Sequence, residues 1–211
     1  MKINEIFKSI QGETTYQGLP AVFIRTTGCN LRCSWCDTTY AYSEGNEYSI
    51  EDILKITDKY SCKDIVITGG EPLTQDETLL LIDRLITLGY TVLLETNGSL
   101  DISIVHPDTI RILDIKCPGS GMAENMMWDN IKSLKPHDEV KFVVSDYNDY
   151  IWAKSVIESY NLVNLCHVLV MPVFGRLDPK ALAGWIINDN LDVRLQLQIH
   201  KYIWGPDTRG V

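Results

Sequence analysis

The sequence predicts an α/β fold, a partial and open (β/α)6-type barrel with a parallel sheet. Short β-branched runs alternate with amphipathic helical patterns, and this order repeats along the chain. A complete eight-unit barrel takes about 250 residues. The 211 residues here therefore suit an open barrel of fewer units. With 45% hydrophobic residues and no Pro/Gly-rich linker, we expect one domain over residues 1–211.

Seven short apolar runs have the length and β-branched content of buried strands. They are 21–26, 64–68, 91–96, 109–115, 139–144, 167–172 and 193–199. One further strand, KINEIFKS, precedes the first repeating unit, and we expect it to flank the sheet. Strands separated by helices are joined in parallel by right-handed crossovers.

The segments between these strands predict helices. Ser49 followed by Asp52 predicts a capping box at the start of IEDILKITDKY, and Gly89 ends the pattern DETLLLIDRLITLG. Two further helical patterns are DYIWAKSVIESY and DPKALAGWIINDN. Only a short segment that contains LDISIVHPD separates TVLLETNG from TIRILDI, so that crossover lacks room for a full helix.

Composition excludes several function classes. The net charge of −9, without clustered Lys and Arg, argues against a nucleic-acid-binding face. There is no basic segment followed by an apolar one at the start, and no run of about 20 apolar residues, so we expect a cytoplasmic chain without membrane insertion. The six cysteines are not spaced as in a disulfide scaffold. A small-molecule substrate fits these features.

Four motifs directly follow predicted strands. Cysteines at 29–36 follow AVFIRT, TGGEP (68–72) follows DIVI, ETNG (95–98) ends TVLL, and Lys116 follows RILDI. In parallel sheets of this kind, ligands bind at the carboxyl ends of the strands. We therefore expect all four motifs on one rim of the barrel.

The stretch GCNLRCSWCDTTY has the spacing C-x3-C-x2-C and no fourth cysteine. A four-iron cluster bound by three thiolates keeps one iron open for another ligand. Zinc with a fourth ligand from elsewhere is an alternative, although no second Cys or His pair of the usual spacing is present. Buried structural cysteines are another alternative, and GGEP alone is consistent with a tight turn.

The cysteine spacing, with Trp35 before the last cysteine and GGEP further on, resembles the signature of radical S-adenosylmethionine enzymes. The resemblance implies a modified radical-SAM core and a [4Fe-4S] cluster on Cys29, Cys33 and Cys36. It also implies that adenosylmethionine binds the open iron. Gly69 and Gly70 are then expected to let the backbone approach the methionine ammonium, and Glu71 is expected to help hold it through carbonyl and carboxylate acceptors.

A narrower resemblance, to the 7-carboxy-7-deazaguanine synthase family, spans essentially the whole chain. It is carried by SIQGET (9–14), Arg25, CDT (36–38), ETNG, DIKCPGSG (114–121) and the ending QIHKYIWGPDTRGV. It implies conversion of 6-carboxy-5,6,7,8-tetrahydropterin to 7-carboxy-7-deazaguanine with loss of ammonia, in queuosine and 7-deazapurine biosynthesis. It also implies Mg²⁺, a flavodoxin-like external electron donor and a homodimer.

The same resemblance assigns roles to individual residues. Residues 1–20 become an N-terminal strand with a substrate loop, and residues 200–211 a C-terminal tail near the active site. The substrate set comprises Ile10, Gln11, Gly12, Arg25, Thr68, Glu95, His200 and Val211. The adenosylmethionine set comprises Trp35, Asp37, Gly70, Glu71, Asn97, Lys116, Ser145 and Met171. Thr38 is the magnesium contact.

Structural alternatives stand beside these roles. Arg25 could pair with a structural carboxylate, Glu95 could cap the following turn, and Asn97 could stabilise a left-handed turn before Gly98. His200 at a strand end could be a structural residue, and no acid or base is assigned. Two other functions compete: an activase that abstracts hydrogen from a glycine of a partner protein, and a non-catalytic iron–sulfur or zinc protein.

Overall fold

A nine-stranded, mostly parallel sheet forms the centre of the computed structural model, which describes residues 1–211. The sheet order is β3-β1-β2-β4-β5-β6-β7-β8-β9. β1 is antiparallel to both neighbours, and all other pairs are parallel. The strands are Lys2–Ile10, Pro20–Thr26, Asn46–Glu47, Asp64–Gly69, Thr91–Thr96, Ile110–Ile115, Glu139–Val144, His167–Pro172 and Arg194–Leu195. The open sheet confirms the predicted fold class, and β1 flanks it as expected.

Five α-helices accompany the sheet. They are α1 Ile50–Asp58, α2 Glu77–Thr87, α3 Tyr147–Ser159, α4 Pro179–Asn188 and α5 Ile199–Trp204. The predicted capping box is present, because the Ser49 hydroxyl accepts from the Asp52 N–H at 3.1 Å and donates to its carboxylate at 2.7 Å. Gly89 follows α2 with a φ of +85°, a conformation that glycine adopts without strain. None of the helices is both long and apolar enough to cross a membrane.

The prediction of a strand over 193–199 was wrong for most of its length. Only Arg194–Leu195 pairs with β8, and Gln196 makes the last backbone contact, to Val170 O at 3.0 Å. Beyond it the chain leaves the sheet, because the Ile199 N–H donates to Gly12 O at 3.1 Å and α5 begins there. The alternation of apolar and polar residues is compatible with an edge strand, but tertiary contacts decide where the chain goes.

Side chains alternate between the two faces of the sheet, as the pleat requires. One face packs against the helices: Val22, Ile24, Ile65 and Ile67 contact α1 and α2. The opposite face, here called the inner face, begins with a small apolar layer of Ala21, Val66, Leu93, Ile110 and Ile112. Nearer the carboxyl ends of the strands, the inner face becomes polar, and this is where a cavity opens.

Candidate active site

A cavity of about 740 Å³ lies at the carboxyl ends of the parallel strands. Ligand pockets in proteins typically measure about 300–1,000 Å³, so this volume suits a small molecule and a cofactor. Cys29, Gly70, Asn97 and Lys116 all line it. The four motifs therefore meet on one rim, as their positions after successive strands predicted.

Cys29, Cys33 and Cys36 are half-buried and all open into this cavity. Burial raises the pKa of the Cys29 and Cys33 thiols, and in both cases the nearby Lys116 ammonium opposes that shift. The Leu31 N–H donates to the Cys29 sulfur at 3.4 Å, and the Asn97 amide nitrogen lies 3.8 Å from the same sulfur. Donors directed at sulfur stabilise thiolate ligands of iron–sulfur clusters. The donor set therefore fits a cluster with three cysteine ligands.

The three sulfurs do not surround a single ion. No group of three His, Cys, Asp or Glu side chains in the chain is arranged to hold one metal ion. In a four-iron cluster each thiolate binds a different iron, so the cysteines need not converge on one point.

Gly70 brings the GGEP turn against the cysteine loop. A Cβ at this position would lie 2.0 Å from Gly28 O and 2.7 Å from the Cys29 Cβ. The adjacent Glu71 N–H donates to Gly28 O at 2.7 Å, which joins the two loops. The sequence predicted that this glycine lets the backbone approach the methionine ammonium. In the structure, the absence of a side chain at Gly70 lets the cysteine loop pack against the GGEP turn.

The Glu71 carboxylate does not line the cavity. It is fully buried and accepts from the Leu73 N–H at 3.1 Å, the Thr96 hydroxyl at 2.8 Å and the Asn97 N–H at 2.6 Å. Burial raises its pKa, and these three donors oppose that shift. The carboxylate therefore joins the loops after β4 and β5, and the expected contact of Glu71 with the methionine ammonium stays a prediction.

Ser145 is also absent from the cavity lining, although it too was expected near adenosylmethionine. Its hydroxyl donates to the Asp149 carboxylate at 2.7 Å, and the side chain is buried. Met171, from the same expected set, does line the cavity.

The expected substrate residues all line the cavity, and they are here called the substrate wall. Thr68 donates to the Glu95 carboxylate at 2.8 Å, which leaves the second Glu95 oxygen facing the cavity without a protein partner. Arg25 donates through Nε to Glu5 at 2.7 Å, so the structural pairing considered from the sequence is real. Because that bond uses only Nε, the remaining guanidinium N–H groups stay available in the cavity. Gln11 is buried with its amide nitrogen unpaired.

His200 packs against Gly12, where a Cβ would lie 2.0 Å from the imidazole Nδ1. Gly12 therefore has to be glycine for the histidine to reach this position. Burial lowers the pKa of His200 below its usual 6.5, which favours the neutral ring. Ile10 and Val211 line the same cavity, and the tail residues 206–211 form part of its wall.

The remaining expected residues lie around the last cysteine. The Thr38 hydroxyl is 3.8 Å from the Cys36 sulfur, and the Lys201 ammonium is 2.6 Å from the Asp37 carboxylate. The Arg176 guanidinium lies over the Trp35 ring, 5.4 Å from its centroid. All three expected residues line the cavity.

Sequence reasoning missed several polar residues of the inner face. Asp114 lies two residues after the apolar inner residue Ile112, as Thr68 and Glu95 lie two residues after Val66 and Leu93. Lys141 lies two residues before Val143, which also lines the cavity. A polar residue at such a position within a buried run is unusual, so this feature of the sequence could have identified Asp114 and Lys141 as site candidates. Glu13, Tyr40 and Gln198 lie in loops or near the tail, and no local pattern marks them.

Comparison with known proteins agrees with this geometry. Residues 23–114 match the family model described as the Radical SAM superfamily. An open parallel sheet with three cysteines and a glycine-rich turn on one rim defines the chain as a radical S-adenosylmethionine enzyme. The class implies an iron–sulfur cluster and adenosylmethionine.

Two relatives, both named 7-carboxy-7-deazaguanine synthase, narrow the class. The Koribacter versatilis protein is 42% identical over 226 residues, covering 100% of both chains. The Chlorobaculum tepidum protein is 43% identical over 214 residues, covering 100% of this chain and 97% of the relative. The crystal structure of QueE from Escherichia coli shares the fold, with a TM-score of 0.76, 24% identity and 92% of each chain covered. The chain belongs to the 7-carboxy-7-deazaguanine synthase family.

Proposed function

We propose that the chain converts 6-carboxy-5,6,7,8-tetrahydropterin to 7-carboxy-7-deazaguanine with loss of ammonia. One observation carries this proposal: a single cavity brings Arg25, Thr68 and Glu95 together with the three cysteines. A pterin offers a guanidine-like edge that suits the free oxygen of Glu95, and its carboxylate suits the free N–H groups of Arg25. The full-length similarity to the named relatives supports the same product.

Bound adenosylmethionine and a reduced cluster would supply a 5′-deoxyadenosyl radical that removes hydrogen from C6 of the substrate. The residues of this chain then have a positioning task, since so reactive a radical must meet one hydrogen only. Glu95 and Thr68 hold the pyrimidine edge, and Arg25 holds the carboxylate. The tail residues 206–211 limit access of water to the cavity.

We propose that the cluster, adenosylmethionine and Mg²⁺ occupy different parts of the cavity. Cys29, Cys33 and Cys36 would bind the cluster. Adenosylmethionine would contact the cavity-lining members of its expected set, namely Trp35, Asp37, Gly70, Asn97, Lys116 and Met171. Thr38 would give a hard oxygen ligand to Mg²⁺, which keeps other positions for substrate and water.

We further propose one radical-SAM domain, a cytoplasmic location, a flavodoxin-like electron donor and a homodimer. Support for the homodimer comes from exposed apolar side chains in α4, β9 and α5, including Ile187, Leu195 and Ile203. The tail over the cavity favours a small molecule over the polypeptide substrate of an activase.

The test is an anaerobic turnover assay. The reconstituted and reduced chain is given adenosylmethionine, Mg²⁺ and 6-carboxytetrahydropterin, and 7-carboxy-7-deazaguanine is sought by mass spectrometry. Cys33→Ala should abolish the product, whereas Cys62→Ala should retain it, because Cys62 lies outside the cavity. Adenosylmethionine cleavage without the product would keep the radical chemistry and reject the proposed substrate.

A further inference from the structure

Four charged side chains form a buried cluster on the inner face, beside the proposed substrate wall. The Lys141 ammonium lies 2.8 Å from Glu13 Oε2 and 3.6 Å from Asp114 Oδ2. Asp114 Oδ2 also lies 2.8 Å from the Lys116 ammonium. Two ammonium groups thus balance two carboxylates, and Lys141 contacts both acids.

Glu13 also connects the two ends of the open barrel. Its second carboxylate oxygen accepts from the Gln198 amide at 2.8 Å, across 185 positions of sequence. Two more bonds cross the same gap: Ile199 N to Gly12 O at 3.1 Å, and Gln17 Nε2 to Leu197 O at 2.8 Å. The loop 11–19 therefore contacts the segment 197–200 here. Glu13 also contacts Lys141, a residue of β7 on the inner face of the sheet.

Both partners of this bridge are largely removed from water. The Lys141 side chain is 9% exposed and that of Glu13 is 12% exposed. Burial alone would raise the pKa of Glu13, but Lys141, the Gln198 hydrogen bond and the nearby His200 together lower it. Burial would likewise lower the pKa of Lys141, but Glu13 and Asp114 raise it well above its usual value. The pair stays charged at neutral pH, and removal of one partner leaves a buried charge uncompensated.

We propose that Glu13 and Lys141 are positioning residues for the substrate. The ion pair fixes the Glu13 carboxylate where it accepts from the Gln198 amide, and it thereby clamps the loop 11–19 against the segment 197–200. Gln11, Gly12 and His200 then form one wall. This inference rests on the proposed function for the identity of the substrate. It assigns neither residue to the cluster or to adenosylmethionine.

The experiment compares Glu13→Gln, Glu13→Ala, Lys141→Met and the Glu13→Gln/Lys141→Met double variant. Glu13→Gln breaks the ion pair but keeps an acceptor for Gln198, whereas Glu13→Ala removes both contacts. We expect the KM for 6-carboxytetrahydropterin to rise about 10- to 100-fold, since small misplacements of substrate-binding groups have effects of this size. Iron content and substrate-independent adenosylmethionine cleavage should stay near wild type. The double variant should be no worse than the worse single variant, because either change opens the clamp.

The matched control is the exposed ion pair of Asp129 and Lys132, whose side chains are 79% and 81% exposed. Asp129→Asn and Lys132→Met should leave the KM unchanged. Additive effects in the double variant, or an unchanged KM in the single variants, would overturn the proposal.

A second readout does not depend on the substrate. Hydrogen exchange of the chain without substrate should be faster over 197–204 in Glu13→Ala and Lys141→Met than in wild type. If wild type makes no product, the proposed function fails while this readout still tests the clamp. Unchanged exchange over 197–204 would overturn the clamp whether or not the product forms.

Discussion

Gly70 and Gly12 are the residues at which the site depends on the absence of a side chain. Gly70 lets the GGEP turn touch the cysteine loop, and Gly12 lets His200 reach the substrate wall. In both places the atoms that an added side chain would meet belong to a backbone or to a half-buried ring, which cannot easily move aside. Two predictions at the residue scale follow from these contacts.

Gly70→Ala should impair cluster assembly. The added methyl would lie 2.0 Å from Gly28 O, so the cysteine loop must shift. Overpacking of this kind costs about 1–3 kcal/mol. Iron and sulfide per chain after anaerobic reconstitution should fall together with the melting temperature of the apo-chain. Gly184→Ala is the control, because no heavy atom lies within 4 Å of the added Cβ in α4. Wild-type iron content in Gly70→Ala would contradict the steric argument.

His200 should make the stability of the fold depend on pH. Burial lowers the pKa of His200 below 6.5, so the unfolded chain binds this proton more readily than the folded chain. Stability is therefore lost as the pH falls below 6.5, until the folded-state pKa is reached, and it is regained as the pH rises. The free energy of unfolding of wild type relative to His200→Gln, measured between pH 5 and 8, should rise with pH. A difference that is constant with pH would contradict this assignment.

At the scale of elements, two crossovers lack an α-helix. Residues 97–109 join β5 to β6 without one, and short 3-10 turns join β6 to β7. Buried polar side chains hold these segments instead. Asn130 donates to Leu100 O at 2.8 Å and accepts from the Ile102 N–H at 3.1 Å. Arg111 donates its N–H to Asp138 at 2.9 Å and pairs with the same carboxylate through its guanidinium.

Asp138→Asn should destabilise the fold strongly. The Asp138 side chain is 0% exposed and that of Arg111 is 3% exposed, so the substitution leaves a buried cation without its counter-ion. Breaking such a pair costs about 3–5 kcal/mol. Denaturant unfolding of the apo-chain measures the loss. Asp129→Asn, in an exposed pair, should cause little change. A small effect of Asp138→Asn would show that the crossovers are held by packing alone.

At the scale of the whole molecule, the C-terminal segment lies across the open side of the barrel. α5 contacts the loop 11–19 through Gly12 and the cysteine loop through the Lys201–Asp37 pair. Further along, the Arg209 guanidinium lies 3.6 Å from the Tyr40 ring centroid and 3.1 Å from the Glu44 carboxylate. The last residues are thereby held over the cavity.

Deletion of residues 205–211 should raise the KM for the pterin substrate while iron content stays near wild type. The tail lines the cavity, but the cysteine loop is joined to the GGEP turn by other contacts. Arg209→Ala releases one attachment only, so we expect a smaller rise in KM. Steady-state kinetics and iron analysis of both variants test this. A deletion variant with wild-type KM would show that the tail does not enclose the substrate.

The sequence alone determined the fold class, the main strands and helices, and the rim on which the four motifs meet. These features are local: a period of two marks strands, a cap marks a helix start, and parallel strands present their carboxyl ends on one edge. Thr68 and Glu95 could be placed for this reason. Asp114 and Lys141 follow the same period and could have been found with them.

Only the tertiary structure decided how the barrel closes and what some motif residues contact. The end of β9, the buried contacts of the Glu71 carboxylate with Thr96 and Asn97, and the Glu13–Lys141 pair depend on partners far away in sequence. Glu13 and Gln198, which bond across the open side, are 185 positions apart. Such contacts form because folding brings remote segments together and buried polar groups must find partners there. No local pattern in the chain records which partner each group will find.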